Sequence, residues 1–201
     1  NEAFSQSFTM KGVLYLMDGK TYRAVHKNSK NTAWEAVSVS GTAYVPTTTI
    51  SAAPTGGGTS YEAVNLLTPK RINTFIGDGT ATQFKVDATD LDETAVTAEV
   101  NGSAVTVSAV NRSTGLVTLA AAPANGNGLA NVSIAFAKTV SGHADKINKC
   151  RFAGLYGGKN DTRVFLSGNP DEPDCDWQSG LYDPTYFPDT GYTRMGTDAS
   201  A

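Results

Sequence analysis

Residues 169–189 gather the side chains that could do chemistry. Asp171, Glu172, Asp174 and Asp176 stand beside Asn169, and Trp177, Tyr182 and Tyr186 follow among four prolines. Clustered carboxylates supply the oxygen ligands that calcium prefers, which makes Asp171, Asp174 and Asp176 weak candidates for a metal site. The segment lacks the spacing of an EF-hand loop, and Pro170 and Pro173 fix the backbone among the acids. A solvated, turn-rich loop is the expectation. A glycosidase needs two carboxyl groups held across a sugar, one with a raised pKa. Such pairs normally come from different strand ends, so acids adjacent in sequence argue little for hydrolysis. Trp177, Tyr182 and Tyr186 fit stacking on sugar rings without catalysis better.

Other reaction classes find less. No G-x-S-x-G elbow occurs, and His26 and His143 have no serine or cysteine partner at a telling spacing. Zinc would require both histidines to converge with Cys150 and Cys175 from distant places, with neither a C-x-x-C nor an H-E-x-x-H pattern. The glycines at 56–58 precede no Gly-Lys-Ser/Thr, so they form no phosphate loop. No enzyme, cofactor or resident metal is expected. The two cysteines are too few for a disulfide framework and are read as free, partly buried thiols.

Composition narrows the partners. The chain has 201 residues, a net charge of -3 and only 17% charged residues, with no basic stripe for nucleic acid. No apolar run approaches the ~18 residues that span a bilayer. The start, NEAFSQSF, has no features of a signal peptide. It begins with Asn rather than Met, and GTDASA gives no obvious stop to a fold, so the chain is expected to be an excerpt of something longer.

The elements that must carry these residues read as strands. GVLYLMDGKTYRAV and AVTAEVNGSAVTV place Asp18-Gly19 and Asn101-Gly102 between alternating runs, the mark of type I′ hairpins. TQFKVD, GLVTLAAAP and NVSIAFAK add strands, and IGDGTATQF reads as a hairpin turn. No run keeps a 3.6-residue period for three turns, so helices should be few and short. Turn formers crowd residues 45–69, which suggests a boundary. The sequence therefore predicts an all-β chain: a small, Ig-like β-sandwich over 71–138, inserted into a discontinuous segment of 1–70 and 139–201. GVLYLMDGKTYRAV and KCRFAGLYGGKNDTRVFLSGNP share an outline, as two incomplete propeller blades would.

RVFLSGNP (Arg163–Pro170) and DPTYFPD (Asp183–Asp189), together with PTGGGTSYEAVNLLTP and GDGTATQF, resemble segments of structural proteins from tailed bacteriophages and prophages. The nearest likeness is to tail-nozzle or head-to-tail stabilisation proteins, and it touches about half of the chain. It implies β-propeller blades with decorating sandwich domains and no active site. For Arg163, Phe165, Gly168, Asn169 and Pro170 it implies a strand ending in a fixed turn. For Pro184, Tyr186, Phe187 and Pro188 it implies an extended, rigid apolar connector. Implied partners are other virion proteins in a symmetric homo-oligomer, with cell-surface glycan as a further partner. The implied location is the virion, after synthesis in the bacterial cytoplasm. The alternative is a carbohydrate-binding module of a phage-borne or secreted protein.

Overall fold

A computed structural model describes residues 5–158 and 161–196. The chain is all-β, and it divides into two compact units: Asn1–Tyr44 with Asn65–Thr68 and Ser141–Ala201, and Val45–Val64 with Pro69–Val140.

The first unit opens with an antiparallel meander of β1 (Gln6–Met10), β2 (Val13–Met17), β3 (Tyr22–Lys27) and β4 (Trp34–Ser38). Alternation puts Tyr15, Met17, Tyr22 and Ala24 into the core, while Leu14, Leu16 and Arg23 take the opposite face. Lys11 (φ 52°) and Gly12 (φ 75°) make the two-residue turn between β1 and β2, which no Asn-Gly or Asp-Gly pair announces. The hairpin predicted at Asp18-Gly19 forms with a different turn. Met17 pairs with Tyr22, which leaves four residues in the loop, and of these only Gly19 has positive φ. Asp18 Oδ1 accepts hydrogen bonds from the Lys20 and Thr21 N–H groups at 2.9 and 2.6 Å, so the side chain closes the loop. Burial pushes that carboxyl up, but those donors outweigh it and hold the pKa below the usual carboxylate range.

The second unit comprises β5 (Thr47–Ala52), β6 (Thr59–Ser60), β7 (Lys70–Phe75), β8 (Gln83–Lys85), β9 (Thr97–Val100), β10 (Ser103–Val105), β11 (Val107–Asn111), β12 (Leu116–Leu119) and β13 (Val132–Ala137). One sheet runs β10-β9-β13-β7-β5-β6 and the other β11-β12-β8. Phe75, Val132 and Ile134 from the first and Phe84, Val117 and Leu119 from the second enter one core, where the rings of Phe75 and Phe84 meet edge-on at 5.4 Å. Asn101 (φ 50°) and Gly102 (φ 75°) form the predicted tight turn between β9 and β10. Two expectations need correction. IGDGTATQF closes no hairpin, because β7 and β8 belong to different sheets and the loop carries the chain from one to the other. The unit also begins at Val45 rather than Arg71, because β5 pairs with β7 in parallel, and parallel pairing leaves no hairpin signal in sequence.

The chain then returns to the first unit with α1 (His143–Asn148) and a second antiparallel meander of β14 (Phe152–Tyr156), β15 (Arg163–Ser167), β16 (Cys175–Gln178) and β17 (Tyr192–Arg194). Val164, Leu166, Cys175 and Trp177 join Met17, Tyr22, Val39 and Phe187 in one core. β1 and β14 are tied by the Gln6 side chain, which accepts from Ala153 N–H at 2.7 Å and donates to Ala153 C=O at 3.2 Å. The two similar sequence outlines fall on different hairpins: β2–β3 is the middle one of its meander, and β14–β15 the first of its own.

Candidate functional site

The prolines of 169–189 are turn formers. Glu172 N–H donates to Asn169 C=O, Cys175 N–H to Glu172 C=O and Tyr186 N–H to Asp183 C=O. Pro170, Pro173 and Pro184 thus each occupy the second position of a four-residue turn, where a fixed φ costs nothing. A fourth turn follows at Pro188, whose C=O accepts from Gly191 N–H. Asp183 braces its own turn by accepting from the Thr185 N–H and hydroxyl. The expected extended connector is therefore a chain of tight turns. Asx and proline chemistry shorten the segment where an extended strand would need ladder partners.

That folded connector is clamped from the side by Asn65, which is buried. Its amide nitrogen donates to the carbonyls of Tyr44 (2.8 Å) and Thr185 (2.9 Å), and its oxygen accepts from the N–H groups of Leu67 and Phe187, each at 3.1 Å. Leu66 N–H donates to Phe187 C=O at 2.8 Å. One amide thereby joins three stretches of chain with most of its hydrogen-bonding capacity filled. Phe187 is fully buried, its ring edge-on to Tyr22 at 6.1 Å. The Tyr22 hydroxyl donates to Pro184 C=O at 2.9 Å, and burial, first of all, pushes its pKa far up.

The other resemblance-derived positions also hold backbone in place. Arg163 Nη1 donates to Ser179 C=O at 2.9 Å, and Phe165 lies edge-on to Tyr156. Gly168 (φ 74°) sits where an L side chain is strained, and a Cβ there would lie 2.5 Å from the exposed Phe152 ring, which would have to shift. Asn169 donates to the carbonyls of Asp145 and Lys146 in α1 and accepts from Asp171 N–H.

The candidates for chemistry are dispersed or spoken for. Lys149 pairs with Asp171 at 2.7 Å, and Arg194 pairs with Asp174 at 2.8 Å, which holds the Asp174 carboxyl below its ordinary range. Among the described residues no three acids, histidines or cysteines converge as metal ligands. The three aromatics form no platform. Trp177 is only 1% exposed, inside the core between the Lys146 ammonium and the Tyr192 ring, and its Nε1–H has no hydrogen-bond partner. Tyr182 is 45% exposed beneath Lys11, and the Tyr186 ring is tilted against Tyr44 at 5.1 Å. Trp177 is thereby removed as a sugar-stacking residue, because β16 alternation turns it inward beside Cys175. Both thiols are free and buried; burial raises their pKa, to about 12 for Cys150 and about 11 for Cys175. His26 stays near the surface, 3.8 Å from Glu35.

The sequence does not mark Asn65, since a lone Asn among turn formers gives no sign of burial. The weak signal was its position in EAVNLLTP, directly before two leucines too many for an exposed loop. Compared with known protein families, curated proteins and solved structures, the chain matches none of them. Among the described residues no helix is long and apolar enough to cross a membrane.

Proposed function

We propose that the chain is a non-enzymatic structural component of a tailed phage or prophage virion, part of a tail or head-to-tail connector assembly. It would be made in the bacterial cytoplasm and act in the particle beside other virion proteins. On this reading the two four-stranded meanders are propeller blades, and the unit of 45–64 and 69–140 is a sandwich domain inserted between them in the sequence.

The observation that carries the reading is how residues 165–189 are used. The prolines set turns, Trp177 and Phe187 fill a core, and Asp171, Glu172 and Asp174 pair with Lys149, Lys146 and Arg194. A segment spent on rigidity suits a part that bears load in an assembly, since fixed turns and buried rings leave few conformations to lose on association. Mass spectrometry of purified particles from a lysogen carrying the gene tests it. The chain should appear at a level comparable with other tail proteins, and particles lacking it would refute the assignment. The carbohydrate-binding alternative retains the half-exposed Tyr182 and its neighbour Tyr186; binding on a glycan array that is lost in Tyr182→Ala would favour it.

A further inference from the structure

We propose that Asn127 and Asn101 are latent sites of spontaneous modification, kept from losing ammonia by the fold until their turns open. The chain has three Asn-Gly pairs, at 101–102, 125–126 and 127–128. Such a pair reacts when the glycine amide nitrogen gives up its proton and bonds to Cγ of the preceding asparagine. The carboxamide nitrogen leaves as ammonia, and a five-membered succinimide remains. Water then opens the ring at either carbonyl, so a neutral side chain becomes the carboxylate of aspartate or isoaspartate. Glycine favours the reaction because no Cβ crowds its nitrogen.

All three asparagines are exposed and all precede glycine, so local chemistry makes them alike. The structure separates them. At Asn125 both reacting groups are engaged: Gly126 N–H donates to Gly77 C=O at 2.8 Å, and Asn125 Oδ1 accepts from Asn127 N–H at 2.7 Å. A Cβ on Gly126 would lie 2.2 Å from Leu129 C=O, so that segment is also closely packed.

Asn101 and Asn127 lack such ties. Among the described residues neither side chain has a hydrogen-bond partner, nor do the N–H groups of Gly102 and Gly128, and a Cβ on either glycine would meet nothing within 4 Å. One torsion guards them instead. Both asparagines are left-handed, at φ 50°. In that conformation ψ is about +47°, which turns the next nitrogen nearly opposite Cβ, whereas ring closure needs the two on the same side. Rotating ψ opens the turn. At Asn101 the turn is closed by the β9–β10 ladder, which pairs Val100 with Ser103. At Asn127 a single bond, Leu129 N–H to Gly126 C=O at 2.9 Å, spans it. Asn127 therefore opens more readily than Asn101, and Asn125 is the most protected. Isoaspartate at position 101 adds a methylene to the backbone, so the two-residue turn cannot close again and the change runs one way.

This chemistry is independent of the proposed function. The test is peptide mapping of the chain held at mildly alkaline pH in water enriched in heavy oxygen, once folded and once in denaturant. In the folded chain label should enter at Asn127 first, then Asn101, with Asn125 at least about tenfold slower than Asn127. In denaturant the three rates should converge, each above its folded value. Any other order in the folded chain would overturn the proposal. So would the same order persisting in denaturant, since sequence rather than fold would then set it, or Asn101 reacting as fast folded as unfolded.

Discussion

The two units are both all-β, yet they are held together in different ways. In the first, the core joins pieces from opposite ends of the chain: Gln6 reaches Ala153, Tyr22 reaches Pro184, and Asn65 reaches Phe187. Where no ladder of strand pairs links these pieces, single side chains bond directly to distant backbone. In the second, all nine strands are joined in two ladders, and the core is built largely from Val, Ile, Ala, Leu and Phe on those strands. Its internal polar network is small: Asp87 accepts from the Thr48 and Thr49 hydroxyls, and Asn73 binds the Thr48 hydroxyl and accepts from Asp87 N–H. Ladder bonds spread cohesion over many residues, while clamps concentrate it in a few.

The sharpest way to break this contrast is Asn65→Ala. The buried N–H groups of Leu67 and Phe187 and the half-buried Tyr44 C=O lose their partner, while Thr185 C=O keeps Tyr44 N–H, and at about 1 kcal/mol each the first unit should lose about 3 kcal/mol. Denaturant unfolding followed by Trp177 fluorescence reads that unit, and an unchanged midpoint would remove the clamp from the account. Phe187→Ala comes next, at about 3 kcal/mol for the lost ring and the cavity left behind; wild-type stability would mean the connector is not part of the core.

In the second unit Asp87→Ala should cost less, about 1–2 kcal/mol, because the Thr48 and Thr49 hydroxyls lose an acceptor while the sheets remain intact. Exchange rates at Phe75 and Ile134 would report it. A loss larger than that of Asn65→Ala would reverse the comparison. Trp177→Phe is expected to be the mildest change, within about 1 kcal/mol, since the lost ring area is offset by removal of an unbonded buried N–H.

Alkaline pH sharpens the contrast without mutation. Burial holds the Cys150 thiol protonated up to about 12, while an unfolded thiol ionises near 9.0. The folded pKa is the higher one, so the contribution is complete below 9.0 and is lost as pH rises from 9.0 towards 12. The first unit should weaken across that window, and Cys150→Ala should flatten the slope. The second unit holds neither cysteine and should lack this component.

Legibility in the sequence followed the range of the interaction. Asn101-Gly102 was readable because a type I′ turn depends on two adjacent residues. Lys11-Gly12 adopts the same geometry but was not, since lysine there is imposed by the pairing of β1 with β2. The prolines at 170, 173 and 184 announced rigidity, yet whether they made an extended connector or a series of turns depended on where Asp183, Asn169 and Glu172 found partners. The sequence leaves Trp177 open to a surface reading, because neither its aromatic character nor its acidic neighbours tell which face of β16 points inward.

By itself the sequence determined the all-β class, the scarcity of helix and the tight turn at Asn101, because alternation and turn chemistry act between residues close in the chain. Only the tertiary structure decided that β5 belongs with β7, that Trp177 is buried, and that Asn65 clamps the connector. Those outcomes depend on contacts between segments far apart in sequence, where local residue patterns carry no information about which segments meet.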